Sequence, residues 1–179
     1  MSSGKLSRGY IQIYTGNGKG KSTAAIGQAV RAAGFGMKTY IAQFMKEFPY
    51  NELNSLKQLS EWIKLEQFGG DDFVYKKELP SKPEIKKAKK GLEAAAQNML
   101  SGSYDIIILD EVCVAIYFKL INVSDIMTLI NQKPKNVELI LTGRYCPNEL
   151  IEEADLVSEM KEVKHYYQKG ISSRNGIEC

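Results

Sequence analysis

No long apolar run, no strong excess of either charge and no paired cysteines occur in this sequence, and each absence removes a class of function. The longest uninterrupted apolar stretch, Val112 to Phe118, has seven residues, far short of the roughly 20 that span a bilayer. The opening MSSGKLSRGY lacks the apolar core of a secretory signal. No membrane association is expected, and the chain reads as cytoplasmic. Lys and Arg together number 24 against 21 Asp and Glu, a formal net charge of +3. A nucleic-acid binder more often shows a pronounced basic excess, so no DNA or RNA partner is expected. Cys113, Cys146 and Cys179 are odd in number and widely spaced, with no C-x-x-C pair, so neither a disulfide framework nor a zinc site is indicated. His165 is the only histidine. It is read as a structural hydrogen-bonding group near a site rather than as a base or a metal ligand.

What is present is an ordinary globular composition, 44% hydrophobic and 25% charged over 179 residues, enough for one domain with a real core. Residues 1–9 read as a short tail and 10–179 as the domain. Strand-like and helix-like segments alternate. Tyr10 to Tyr14, Thr39 to Phe44 and Trp62 to Phe68 have β-prone patterns, whereas Lys21 to Ala33 spaces its alanines helically. Glu52 to Ser60 is weakly helical. Ser81-Lys82-Pro83-Glu84 is a capping box that starts a helix reaching about Leu100. The lysines at 86, 87, 89 and 90 then form its solvated face. Ile106 to Asp110 and Glu138 to Gly143 are short continuous apolar runs, as in strands buried on both faces of a parallel sheet. Ser124 to Asn131 and Pro147 to Ala154 are helical candidates, and Asp155 to Met160 an edge strand. The expected fold class is α/β: a single domain whose mostly parallel sheet is flanked by helices.

The chemistry concentrates in YTGNGKGKSTAA, Tyr14 to Ala25. This differs from the pattern G-x-x-x-x-G-K-[ST] only in Thr15, which stands where the first glycine belongs. Lying between a predicted strand and a predicted helix, Gly16, Asn17, Gly18, Lys19 and Gly20 bring backbone amides toward phosphate oxygens. The helix start adds its positive dipole end, Lys21 a point charge and Ser22 a hydroxyl for Mg2+, with Thr23 beside it. A second element, Ile106 to Glu111, ends a buried strand in two carboxylates, Asp110 and Glu111, where an acid reaches the magnesium directly or through water. Two other uses stay open: one acid could cap the following helix, and Glu111 could orient water in an ATPase. Loop and acids together predict Mg-ATP binding and leave the reaction open.

With QFMK (Gln43 to Lys46), the Gly70–Phe73–Tyr75 stretch, LDE (Leu109 to Glu111), TGR (Thr142 to Arg144) and the run Glu153 to Glu178 in the same order, the sequence resembles the ATP:corrinoid adenosyltransferases from roughly Tyr10 to Glu178. The family loop is GNGKGK[ST], so Thr15 is no departure. The resemblance implies transfer of the 5′-deoxyadenosyl group of Mg-ATP to the cobalt of a reduced corrinoid, cob(I)alamin or a precursor, with release of triphosphate, in adenosylcobalamin synthesis or salvage. It implies a P-loop NTPase-like, RecA-like α/β domain, with Lys21 and Lys19 as clamps on the leaving triphosphate, Ser22 and Glu111 as magnesium ligands and Asp110 as a neighbouring magnesium ligand or an acid one step behind them. Arg144 is implied as a nucleotide contact, although an arginine there could equally pair with a local acid. Phe73 and Tyr75 match the aromatic pair that displaces the lower axial ligand of the corrinoid, with Tyr75 where the family commonly has Trp. A reduced flavoprotein electron donor and a homodimer are also implied. Several members carry a longer amino-terminal segment that folds over the nucleotide; nine residues precede Tyr10 here, so cover is expected to be weaker or to come from elsewhere. A P-loop ATPase or nucleoside kinase is the alternative, and a nucleotide-sensing module without turnover a third reading.

Overall fold

The computed structural model describes residues 6–47, 50–69 and 79–178. Phe73 and Tyr75 lie outside them. The apolar runs become strands of one sheet: β1 (Ile11–Thr15), β2 (Thr39–Phe44), β3 (Ile63–Phe68), β4 (Ile106–Asp110), β5 (Glu138–Thr142) and β6 (Leu156–Glu159). All pairings are parallel and the order is β3-β2-β4-β5-β1-β6. Parallel neighbours need crossover connections. Those come from α1 (Lys21–Phe35), α2 (Glu52–Lys57), α3 (Lys82–Leu100), α4 (Val112–Tyr117), α5 (Val123–Gln132) and α6 (Asn148–Glu153). A short 3₁₀ turn, Tyr166–Lys169, follows β6.

Alternation along the strands divides the core into two layers. Ile41, Ile106, Ile108 and Ile140 face α1 and α2, meeting Ala25, Ala29, Ala32 and Ala33. The small alanine side chains let α1 lie close on the sheet. Tyr40, Ala42, Ile107 and Leu109 face the other way, against Ala95 and Met99 of α3 and Ile126 and Leu129 of α5. Because β4 is apolar on both faces and buried along its whole length, helices must cover both sides, as the run IIILD predicts.

Boundaries agree with the sequence pattern for β2, β4 and α3, whose Ser81 side chain and Glu84 side chain form the capping box as predicted. The apolar run Val112 to Phe118, to which the sequence pattern assigns no element, forms helix α4 over Val112–Tyr117. Its residues are nearly all apolar, so neither helical nor strand periodicity is visible in them. The lysines at 86, 87, 89 and 90 lie exposed on α3, as expected for a solvated face. β6 is an edge strand.

Candidate functional site

The carboxyl ends of β1, β2, β4 and β5 converge on one cleft of about 630 Å³, within the usual range for a small-ligand site. Gly18, Lys19, Gly20, Lys21, Ser22 and Thr23 form one wall, and Lys46, Glu111 and Arg144 face them. The backbone here is unusual. Among the described residues, Met45, Glu111, Lys119 and Tyr145 are the non-glycines with positive φ. Met45 follows β2 and Glu111 follows β4 directly, while Tyr145 is in the turn after β5. Such conformations persist only where the surroundings impose them, and they cluster at functional sites.

The loop from β1 to α1 turns at Gly20, the N-cap residue, with φ of 119°. No side chain caps α1, so the amides of its first turn remain available to an anion. Lys21 folds back with its ammonium 2.8 Å from the Gly18 carbonyl oxygen. It is buried, and burial pulls its pKa below the ordinary lysine value, with Glu111 and Asp110 opposing the shift and Arg144 adding to it. The glycines also serve close packing. A Cβ on Gly18 would lie 2.7 Å from the Met160 carbonyl oxygen, to which the Gly18 amide donates at 2.6 Å. The chain leaving β6 therefore braces the loop from outside.

Asp110 ends β4 fully buried, and its two oxygens are committed to different partners. Oδ1 accepts from the Thr142 hydroxyl at 2.7 Å, and Oδ2 from the Lys46 ammonium at 2.9 Å and from Gln43 at 3.2 Å. Burial alone would raise its carboxyl pKa, but the charge and hydrogen bond of Lys46, with bonds from Thr142 and Ser22, outweigh it and hold the group below the usual range. Lys46 is the mirror case: burial disfavours its charge, yet Asp110, Glu111 and Glu52 keep it protonated above the ordinary lysine range. Glu111 differs. Among the described residues no hydrogen-bond donor reaches its carboxylate, while burial and then the Asp110 charge push its pKa up. Its backbone amide donates to Thr142 Oγ1 at 2.9 Å.

Neither acid caps α4 with its side chain. Glu111 is the N-cap residue but makes no side-chain cap bond, and Asp110 belongs to the strand. Arg144 is exposed at the cleft rim and forms no ion pair with any described residue, so the local acid partner considered from sequence is not found there. Asn17 and Gly16 lie in the same loop. The His165 Nδ1 accepts the Tyr167 amide at 3.1 Å and starts the 3₁₀ turn, a structural bond at the cleft edge, as expected.

Lys46, Gln43 and Thr142 stand in this site, although the sequence pattern gave none of them a role. The available signal was positional: all three sit at the carboxyl ends of parallel strands, where α/β sheets carry their ligands. The carboxy-terminal segment is the other addition. Gly176, Ile177 and Glu178 line the cleft, and Lys19 donates to the Ile177 carbonyl oxygen at 2.8 Å. Arg174 pairs with Glu178 and lies 4.7 Å from the centre of the Tyr166 ring, which knits this segment to itself.

Residues 7–179 match the family model described as ATP:corrinoid adenosyltransferase BtuR/CobO/CobP. The chain is 32% identical over 172 residues to a corrinoid adenosyltransferase of Escherichia coli strain K12, covering 96% of this chain and 86% of that protein. It is 31% identical over the same length to corrinoid adenosyltransferase CobA of Salmonella typhimurium, again with 96% and 86% covered. In three dimensions it resembles the flagellar accessory protein FlaH from Methanocaldococcus jannaschii, with a TM-score of 0.59 at 18% identity, over 86% of this chain and 72% of that one. That likeness establishes the P-loop, RecA-like fold alone.

Proposed function

This chain belongs to the ATP:corrinoid adenosyltransferase family, and we propose that the cleft above β1, β4 and β5 is where it holds ATP with Mg2+ beside a reduced corrinoid. The chain is thus an enzyme of a transferase family, whose name denotes ATP-dependent adenosylation of corrinoids. The observation that carries the placement is the uncapped start of α1, with buried Lys21 at its first turn and Asp110 and Glu111 opposite.

The residues suit a magnesium ion. The Ser22 hydroxyl and the Glu111 carboxylate are hard oxygen donors, Glu111 has no hydrogen-bond donor of its own among the described residues, and a cation, the Lys46 ammonium, is already held beside Ser22 and Asp110. Among the described residues no three His, Cys, Asp or Glu side chains form a metal cage. A magnesium ion is commonly held by one or two protein groups together with phosphates and water. We propose Ser22 and Glu111 as ligands, with Asp110 beside them, its Oδ1 fixed by Thr142 and its Oδ2 paired with Lys46 until that side chain moves to phosphate. When bound, the ion would neutralise charge on the triphosphate.

In the proposed reaction the cobalt of the cob(I) corrinoid, itself the nucleophile, uses its electron pair to form a bond to the ribose 5′ carbon. The bond from that carbon to the triphosphate oxygen breaks, and the pair leaves with triphosphate. No protein base is required. The chain's task is to hold the leaving group: the α1 amides, Gly16, Asn17, Gly18 and Gly20 in the loop, Lys19, Lys21 and Thr23 stabilise its growing charge, and Arg144 reaches the nucleotide from the opposite rim. Lys21 leaves the Gly18 carbonyl and Lys19 leaves Ile177 to do so. Cover by the carboxy-terminal segment would help to keep water out.

Phe73 and Tyr75, outside the described residues, belong to the same proposal as the pair facing the lower side of the corrinoid. Their segment continues from Gly69, which packs on Met45 at the cleft. A reduced flavoprotein as electron donor, a homodimer and a cytoplasmic location complete the reading on family grounds. No described helix is long and apolar enough to cross a membrane.

The test is an anaerobic assay with Mg-ATP and chemically reduced cob(I)alamin, following corrinoid absorbance and separating the phosphate products. A light-sensitive alkylcobalamin with stoichiometric triphosphate is expected, and Lys21→Ala should lower the rate at least about a hundredfold. Release of ADP and phosphate at an equal rate without corrinoid would overturn this reading in favour of an ATPase.

A further inference from the structure

We propose that Lys46 occupies the metal's place in the nucleotide-free protein and so makes metal binding conditional on nucleotide. This rests on the reading that ATP and a divalent cation share the cleft. The Lys46 ammonium stands 2.9 Å from Asp110 Oδ2 and 3.5 Å from the Ser22 hydroxyl oxygen. A positive charge therefore already lies within reach of both the hydroxyl and the acid that a hard cation would seek. The side chain is only 14% accessible, and its ammonium lies 5.1 Å from the centre of the Tyr50 ring, a further stabilising contact for a cation.

The position of Lys46 is imposed by the fold. Its neighbour Met45 has φ of 58° and donates its amide to the Phe68 carbonyl at 3.0 Å. On the other side Gly69 approaches so closely that a Cβ there would lie 2.4 Å from Met45 Cα. β2 and β3 thus hold the turn that aims Lys46 at Asp110. A surface lysine free to choose among rotamers would have no such support.

Two cations cannot share this space without strong repulsion. While Lys46 neutralises Asp110, a divalent ion arriving alone gains little and must displace an ion pair. A triphosphate changes the balance by bringing several negative charges within reach of the four-carbon lysine stem. Lys46 then swings to phosphate oxygens, and the vacated position beside Ser22 becomes favourable for the metal. No covalent bond changes. The device makes the protein take metal and triphosphate together and keeps its buried acid from collecting metal alone.

The test measures Mn2+ binding to nucleotide-free protein by electron paramagnetic resonance, which needs no turnover. Lys46→Met is expected to bind Mn2+ at least about tenfold more tightly than wild type, Lys46→Arg to resemble wild type, and the gained site to vanish when Ser22→Ala is added. Should the methionine variant not fold, Lys46→Gln replaces it and is read in the same way. Equal or weaker Mn2+ binding by the uncharged variant, or a gained site that survives Ser22→Ala, overturns the proposal. Adenosyl transfer by the wild type is measured alongside. Its absence would count against the function assigned to the cleft, whereas unchanged Mn2+ binding in an otherwise active protein counts against this role for Lys46 alone.

Discussion

The Thr142 hydroxyl joins the two acids of the cleft: it donates to Asp110 Oδ1 at 2.7 Å, and its oxygen accepts the Glu111 amide at 2.9 Å. One side chain at the end of β5 thereby fixes the carboxylate that ends β4 and the left-handed residue that follows it. Thr142→Val keeps the shape but leaves a buried acceptor and an amide without their partner. The expected loss is about 1–3 kcal/mol of stability, with adenosyl transfer reduced more than the melting temperature alone would explain. Chemical denaturation and single-turnover rates measure the two. An unchanged rate would mean that Thr142 supports the fold only.

Glu111 and Asp110 should respond to pH with opposite signs. The Glu111 carboxyl is raised in the folded chain, by burial and then by Asp110, so its ionisation opposes folding. Its stabilising contribution is full below the ordinary glutamate value of about 4.3 and is lost as pH rises through the raised value. Glu111→Gln should therefore raise the melting temperature of the nucleotide-free protein by a few degrees at neutral pH, roughly 2–4 °C for each kcal/mol, with the gain fading toward pH 4. The same variant should lose adenosyl transfer. Asp110 is held below its ordinary value, so its contribution is present above about pH 4 and is lost as pH falls. A melting temperature for Glu111→Gln that is lower than wild type at pH 7.5 would contradict this account.

Gly69 follows β3 directly and packs on the Met45 backbone beside the site. An alanine there would place its Cβ 2.4 Å from Met45 Cα and 2.6 Å from Met45 N, and backbone cannot move aside as a side-chain tip can. Gly69→Ala is expected to cost about 1–3 kcal/mol through overpacking and to displace Lys46 from Asp110. Urea unfolding reads the first effect. The second should appear as metal binding without nucleotide, in the same direction as Lys46→Met. A stable variant with wild-type metal binding would show that the turn can relax.

The alternating α/β class and the position of the glycine-rich loop can be read directly from the chain. Local patterns were sufficient: IIILD is apolar on both faces, the capping box at Ser81 marks where α3 begins, and GNGKGKS runs from strand into a helix start that no side chain caps. Lys21, Ser22, Glu111 and Arg144 each belong to a short contiguous motif, and the structure gathers them at one cleft. Helix α4 was not legible, because a short run apolar on every side has no periodicity. Folding alone brings Lys46 to Asp110 across 64 positions of sequence and Thr142 to the Asp110 carboxylate and the Glu111 amide. It also brings Ile177, far along the chain, to Lys19 at the loop. These are contacts between the ends of neighbouring strands and the segments that leave them, and they depend on the strand order β3-β2-β4-β5-β1-β6. That order arises from burying two apolar faces of one sheet at once, which no local segment of the chain encodes.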